Sequence, residues 1–312
     1  MDGLCLVTGG AGFIGSHLVD GLRAAGRRVR VLDDLSTGQR DNLSRHPDVE
    51  LIVGDVADPA AVARAMDGVQ VVFHLAALAS VQRSVEAPAD SHRICATGTL
   101  HVLDAARRAG VRRVVYAGSA SAYGIPDGPV QSEETPIRPL SPYAAAKLSG
   151  EVYCQAFAVT YGLETVRLRF FNIFGPRQRA DSPYSGVIAL FIAALGDGRT
   201  PTVFGDGEQT RDFTYVTDVV QALMLAADQP GVSGEVCNVG TGRGTSLLQL
   251  IAALNGLMGT SITPRHAETR AGDIRHSRAD ITKAQRLLGY APTVSLEAGL
   301  AETLAWYRSL KG

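Results

Sequence analysis

Tyr143 and Lys147 stand four residues apart in the segment Pro142-Tyr143-Ala144-Ala145-Ala146-Lys147. On a helix that spacing sets both side chains on one face, one turn apart, so both reach a single site. A phenol titrates at about pH 10 in water and serves as a base at neutral pH only where positive charge stabilises the phenolate; a lysine ammonium is such a charge. Tyrosine and lysine fall at this spacing by chance on many helices, so the pair gains meaning only from its neighbours. One neighbour is the loop Ala117-Gly118-Ser119-Ala120-Ser121-Ala122-Tyr123-Gly124, which follows an apolar run and offers small hydroxyls. Ser119 can hydrogen-bond a substrate hydroxyl there.

The second chemistry-bearing feature is Gly9-Gly10-Ala11-Gly12-Phe13-Ile14-Gly15, set directly between an apolar run at 4–8 and a helical pattern at 16–25. Glycines at such a turn accept positive φ and let backbone N–H groups approach a diphosphate, while the helix N-terminus adds partial positive charge. Glycine also serves tight turns for steric reasons alone, so position decides. The next apolar run ends in Asp33-Asp34, about 20 residues beyond the glycines, where a carboxylate accepts hydrogen bonds from an adenosine ribose diol. Ser36, Thr37 and Gly38 follow in the same loop. The carboxylate would repel the 2′-phosphate of NADP, and no arginine follows Asp33 directly, so the expected cofactor is NAD. Asp55 and Val56 end the third apolar run and flank the adenine. Leu75, Ala76 and Ala77 end the fourth, at the carboxyl edge where ligands of such sheets bind.

Positioning these groups requires parallel strands alternating with helices. Short β-branched runs at 4–8, 28–33, 50–54, 69–75, 112–117 and 164–169 alternate with longer amphipathic stretches, the pattern of an α/β chain with buried parallel strands. The expected fold is a Rossmann-type doubly wound parallel sheet with a second, smaller α/β substrate-binding domain. After residue 172 the rhythm loosens into Gly- and Pro-punctuated loops, then a strand-helix unit returns at 212–228 with a strand at 235–239. The boundary is therefore expected to be discontinuous: residues 1–171 and about 212–241 bind the dinucleotide, and about 172–211 and 242–312 bind substrate. Helices are expected at 246–258, 280–288 and 295–309.

The whole chain excludes several partner classes. Thirty basic and 31 acidic residues leave a net charge of −1, which gives no global attraction to nucleic acid or to an anionic membrane. No signal-type segment opens the chain and no apolar run reaches the roughly 20 residues that span a bilayer, so a cytoplasmic location is expected. The 4 cysteines, Cys5, Cys95, Cys154 and Cys237, form no Cys-x-x-Cys pair and read as reduced core thiols; no metal site is expected.

Taken in order, Gly9, Gly12 and Gly15, His74-Leu75-Ala76-Ala77, the Ser119 loop, Tyr143 with Lys147, Arg169-Phe170-Phe171-Asn172, and Gly205-Asp206-Gly207 with Arg211-Asp212 resemble the extended short-chain dehydrogenase/reductase family, in its nucleotide-sugar epimerase and dehydratase branch. The resemblance covers nearly the whole chain. It implies that Ser119 or Ser121 orients the reacting hydroxyl, that Tyr143 removes its proton, and that Lys147 tunes Tyr143 and holds the nicotinamide ribose, with Phe170 beside the cofactor. The implied reaction is oxidation of a sugar at C4 by NAD, rotation of the 4-keto sugar, and reduction on its other face. Sugar 4,6-dehydratases of this branch carry an Asp-Glu pair just after the catalytic hydroxyl, and uronate decarboxylases a Glu; here those places hold Ala120 and Ser121, which leaves 4-epimerisation.

The same resemblance assigns substrate contacts. Arg211 and Arg270 stand where the family binds the diphosphate of a UDP-sugar, and Val187 and Phe204 wall the base pocket. Asn172 and Arg179 face the sugar; Arg179, in Gly175-Pro176-Arg177-Gln178-Arg179, resembles the reader of a C6 carboxylate in uronate epimerases and leans the expectation to UDP-glucuronate. Asn172 departs from the threonine of many such enzymes, and the loop at 181–186 looks glucose-type, which keeps UDP-glucose close behind. Ser277, after Asp273, occupies a place where a small residue makes room for an N-acetyl group, so UDP-GlcNAc stays open. Helices near 91–108 and 143–161 resemble those that pair into a four-helix homodimer interface.

Overall fold

A computed structural model describes residues 3–179, 186–269 and 274–310. Seven parallel strands form the large sheet: β1 (Leu4–Thr8), β2 (Arg28–Asp33), β3 (Glu50–Val53), β4 (Val69–His74), β5 (Arg113–Ser119), β6 (Glu164–Phe170) and β7 (Val236–Val239), in the order 7-6-5-4-1-2-3. Val7 of β1 stands opposite Val31 of β2 and Phe73 of β4. Because helices cover both faces, these strands carry apolar residues without alternation, which is why they were legible as continuous runs.

On one face Leu18, Val19 and Leu22 of the helix Phe13–Ala24 pack with Val219, Leu223 and Ala227 of the helix Val216–Asp228. On the other, Val62, Met66, Val102, Leu103, Cys154 and Phe157 form the core. A third cluster, including Phe191, Ile192, Leu250, Leu254, Leu300 and Leu304, joins the helices Val187–Gly196, Leu247–Met258 and Leu296–Ser309. All 4 cysteines are free and buried, as expected of core thiols. Among the described residues no helix is long and apolar enough to cross a membrane.

Two boundaries differ from expectation in ways that matter. The first helix starts at Phe13 rather than 16, because Gly12 is extended and its carbonyl already accepts from Ser16 N–H at 3.0 Å. The open amides of that first turn therefore belong to the glycine segment itself. The fifth strand runs two residues beyond 117, since its ladder with β6 continues to Ser119 opposite Phe170. Ser119 is thus fixed by a strand end rather than carried on a free loop.

Candidate active site

The order of the large sheet reverses between β1 and β4, and a crevice forms at that switch point above the carboxyl ends. It holds a cavity of about 610 Å³. Gly9, at φ +71°, turns the chain away from Ala76, whose amide nitrogen would lie 2.8 Å from a Cβ added there. A Cβ on Gly15 would lie 2.1 Å from the Gly9 carbonyl oxygen, whereas one on Gly12 would meet only that oxygen, at 3.2 Å, and otherwise open space. Gly12 lines the cavity. The turn thus presents a cradle for a diphosphate that a side chain at position 12 would fill.

Asp33 is buried and accepts from Ala11 N–H at 2.9 Å and Leu35 N–H at 2.8 Å. Burial raises its pKa, while those amides pull the other way. One carboxylate therefore ties the glycine turn to the end of β2 and still borders the cavity. Asp34 accepts instead from Ser36 N–H and Oγ. Every expected cofactor residue lines the cavity except Gly38, which backs Asp33: a Cβ there would stand 2.7 Å from its Oδ1.

Ser141 caps the helix Pro142–Tyr161 by accepting from Ala144 N–H at 3.1 Å, so Tyr143 and Lys147 lie in its first two turns. Gly150 lets this helix close on β5: a Cβ there would stand 2.3 Å from the Tyr116 hydroxyl, which donates to the Lys147 carbonyl at 2.9 Å. Lys147 is buried with Nζ 4.5 Å from the centre of the Tyr116 ring, and burial lowers its pKa. Tyr143 and Lys147 both line the cavity. Near Tyr143, Ser119 Oγ at the end of β5 accepts from Ser121 Oγ at 2.8 Å and from Ser121 N–H at 3.2 Å. Burial pushes the Tyr143 phenol up to about 12, the Cys95 thiol adds to the rise, and the neighbouring Ser119 hydroxyl opposes it. Tyr143 thus becomes a base only when further positive charge reaches it, and the oxidised nicotinamide of bound NAD carries such charge.

His74, which opens the His74-Leu75-Ala76-Ala77 run, is a further polar residue behind this site. It is buried, with Nδ1 2.7 Å from Thr8 Oγ1 and Nε2 2.9 Å from Thr99 Oγ1. Burial, then the Lys147 charge, push its pKa down to about 3, so it is neutral. An unfolded histidine binds its proton at about pH 6.5. Between about pH 6.5 and 3 the unfolded chain therefore holds the extra proton and stability falls with acidification, by about 1.4 kcal/mol per pH unit at most. His74→Gln should flatten this slope; equal urea midpoints lost by both proteins between neutral and acid pH would show that His74 does not cause it.

The profile of the NAD dependent epimerase/dehydratase family matches residues 5–240. The chain belongs to this family. It is an NAD-dependent enzyme. A UDP-glucose 4-epimerase of Mycolicibacterium smegmatis is 42% identical over 309 residues, 97% of this chain and 98% of that protein. The crystal structure of the Thermotoga maritima UDP-glucose 4-epimerase with UDP-glucose superposes with a TM-score of 0.94 at 40% identity, covering 99% of this chain and 100% of the other. MoeE5, solved with NAD and either UDP-glucose or UDP-glucuronic acid, is 38% identical with TM-scores of 0.89 and 0.90, covering 99% of this chain and 100% of MoeE5.

The residues expected to contact substrate are more dispersed than those expected to contact the cofactor. Arg179 lines the large cavity. Asn172 and Val187 line a smaller one of about 30 Å³ that shares Gln178 and Gly186 with it. Phe204, Arg211 and Ser277 line neither; Arg211 and Ser277 are register partners of adjacent strands, and Phe204 ends the strand Thr202–Phe204. Arg270 and Asp273 lie outside the described residues. Sequence reasoning missed Arg177, which lines the large cavity in left-handed conformation, at φ +66°, and donates to Asp20 at 2.8 Å. It also missed Arg93, which pairs with Asp55 at the cavity wall. Nothing in their local spacing signals either contact.

Proposed function

We propose that the chain is a UDP-sugar 4-epimerase that recycles its NAD, with UDP-glucose and UDP-galactose as the interconverted pair. The observation that carries this reading is what stands by Tyr143 at the end of β5: Ser119, Ser121 bonded to it, and Ala120 between them. Among the described residues, the carboxylates lining the cavity are Asp33, Asp34, Asp55 and Asp90. The first two end or follow β2, and Arg93 pairs with the other two, so all stand on the adenosine side. Elimination or decarboxylation would need a further acid-base group beside the sugar; proton removal and return at one oxygen needs only Tyr143. Ser119 holds the C4 hydroxyl, Tyr143 takes its proton and gives it back, Ser121 orients Ser119, and Lys147 holds positive charge behind the phenolate. NAD, when bound, would supply the acceptor for oxidation at C4 and, once reduced, the hydride for the reverse step. The names of the relatives at 42% and 40% identity support glucose as the sugar.

A second reading, UDP-glucuronate, is favoured by one residue, Arg179 at the cavity wall. A panel of UDP-glucose, UDP-glucuronate and UDP-GlcNAc assayed beside Arg179→Ala separates the two. The glucose reading predicts the highest kcat/KM on UDP-glucose and a similar modest effect of Arg179→Ala on each sugar. A loss confined to UDP-glucuronate, with that sugar best in the parent enzyme, would replace glucose by glucuronate. We also propose a homodimer: Val152, Val159 and Tyr161 leave apolar surface exposed on the helix Pro142–Tyr161.

A further inference from the structure

Between the helices Pro88–His92 and Gly98–Arg108 the chain makes a π-helical turn, Arg93–Thr97, closed by Gly98 N–H on the Arg93 carbonyl five residues back. Such turns insert one residue into a helix, leave a carbonyl without its regular partner, and persist only where something else holds them. Here two tethers do so. Thr99 Oγ1 donates to the Cys95 carbonyl at 2.6 Å, and Cys95 Sγ accepts from Leu78 N–H at 3.3 Å. With its hydrogen spent on Cys95, Thr99 can only accept from His74 Nε2–H. His74 Nδ1 then accepts from Thr8 O–H, and Thr8 Oγ1 accepts from Ala76 N–H at 3.3 Å. A single directed chain of hydrogen bonds runs from the cavity edge of β4 to the π turn, wholly inside the protein.

The turn borders both halves of the site. Arg93 and Ile94 line the cavity, and Arg93 fixes Asp55. Cys95 and Ala96 pack with Leu78 and with Ala146 of the helix that bears Tyr143 and Lys147. Gly98 lets the turn close on the adenine side, since a Cβ there would stand 2.8 Å from Val56 Cγ2. A regular α-helix through 93–97 would rotate one of these two sets of side chains away from its partner by about 100°.

We propose that His74 and Thr99 are positioning residues that lock the Arg93–Thr97 π turn, and that this turn sets the spacing between the bound dinucleotide and the Tyr143–Lys147 helix. The inference rests on NAD binding and not on which sugar is turned over. Thr99→Val removes both the donor to Cys95 and the acceptor for His74, while Thr99→Ser keeps them. For Thr99→Val we expect NADH and ADP-ribose dissociation constants, read by fluorescence titration and calorimetry, to rise roughly tenfold or more. Thr99→Ser should restore both to within about twofold, and nitrogen NMR of the parent should show His74 as the Nε2–H tautomer without titration from about pH 5 to 8. His74→Gln should weaken both ligands in the same direction. If Thr99→Val lowers only the melting temperature and leaves both dissociation constants at the parent value, the chain is a core strut and the proposal fails. A His74 found as the Nδ1–H tautomer would overturn it independently.

Discussion

Tyr143→Phe should remain folded and NAD-loaded while its turnover falls by roughly 10²- to 10⁴-fold, the usual contribution of a positioned acid-base group. Phenylalanine keeps a ring at the cavity wall and removes only the phenol oxygen, while Ser119 retains its bonds from Ser121. Cofactor affinity should change little, because the glycine turn and Asp33 lie on other elements. Burial holds the free phenol at about 12, so the proton must be drawn off by charge delivered to the site. Turnover in Tyr143→Phe within a fewfold of the parent, measured with saturating UDP-sugar, would remove Tyr143 from the reaction.

Gly15→Ala and Gly12→Ala should fail in different ways although both alter one turn. At Gly15 the new Cβ would stand 2.1 Å from the Gly9 oxygen and 2.8 Å from Gly10 Cα, backbone atoms that cannot step aside. Stability should drop by about 1–3 kcal/mol or more, as for other overpacked interiors, with NAD lost as a consequence. Gly12 has φ −76° and ψ −177°, open to any residue, and its Cβ would meet only the Gly9 oxygen at 3.2 Å. Gly12→Ala should therefore melt close to the parent temperature and yet bind NADH at least tenfold more weakly, because the methyl group occupies the diphosphate cradle. Denaturant midpoints and NADH titrations on both variants check this. Parent-like NADH affinity in Gly12→Ala would mean that the diphosphate does not lie over that residue.

Much of the cofactor half of the site was legible from residue order, and the reason is local. A strand, a glycine turn and a helix are contiguous, and Tyr143 and Lys147 share one helix, so spacing alone sets their geometry. Ser119 could be read near them because β5 delivers it to the same edge as Gly9. What sequence order hid was every contact made across the fold. Asp33 reads as a free ribose acceptor, yet the fold also spends it on Ala11, 22 residues away. His74 meets Thr8 across 66 residues and Thr99 across 25, and no periodicity marks a π turn. The placement of the expected substrate residues was least legible because Asn172, Phe204, Arg211 and Ser277 come from separate short strands whose pairing local pattern does not specify. Arg211 and Ser277 meet as register partners rather than at the cavity, and Arg177 enters it through a left-handed turn.

On our proposal, a single acid-base tyrosine beside a recycled NAD inverts C4 and leaves the rest of the sugar intact. Purified enzyme given UDP-glucose, with product sugar and NADH followed in the same reaction, tests it most directly. We expect many turnovers to UDP-galactose, with the same equilibrium approached from UDP-galactose in the reverse direction, and NADH never exceeding the enzyme concentration. NADH accumulating in step with product, or loss of water or carbon dioxide from the sugar, would contradict it.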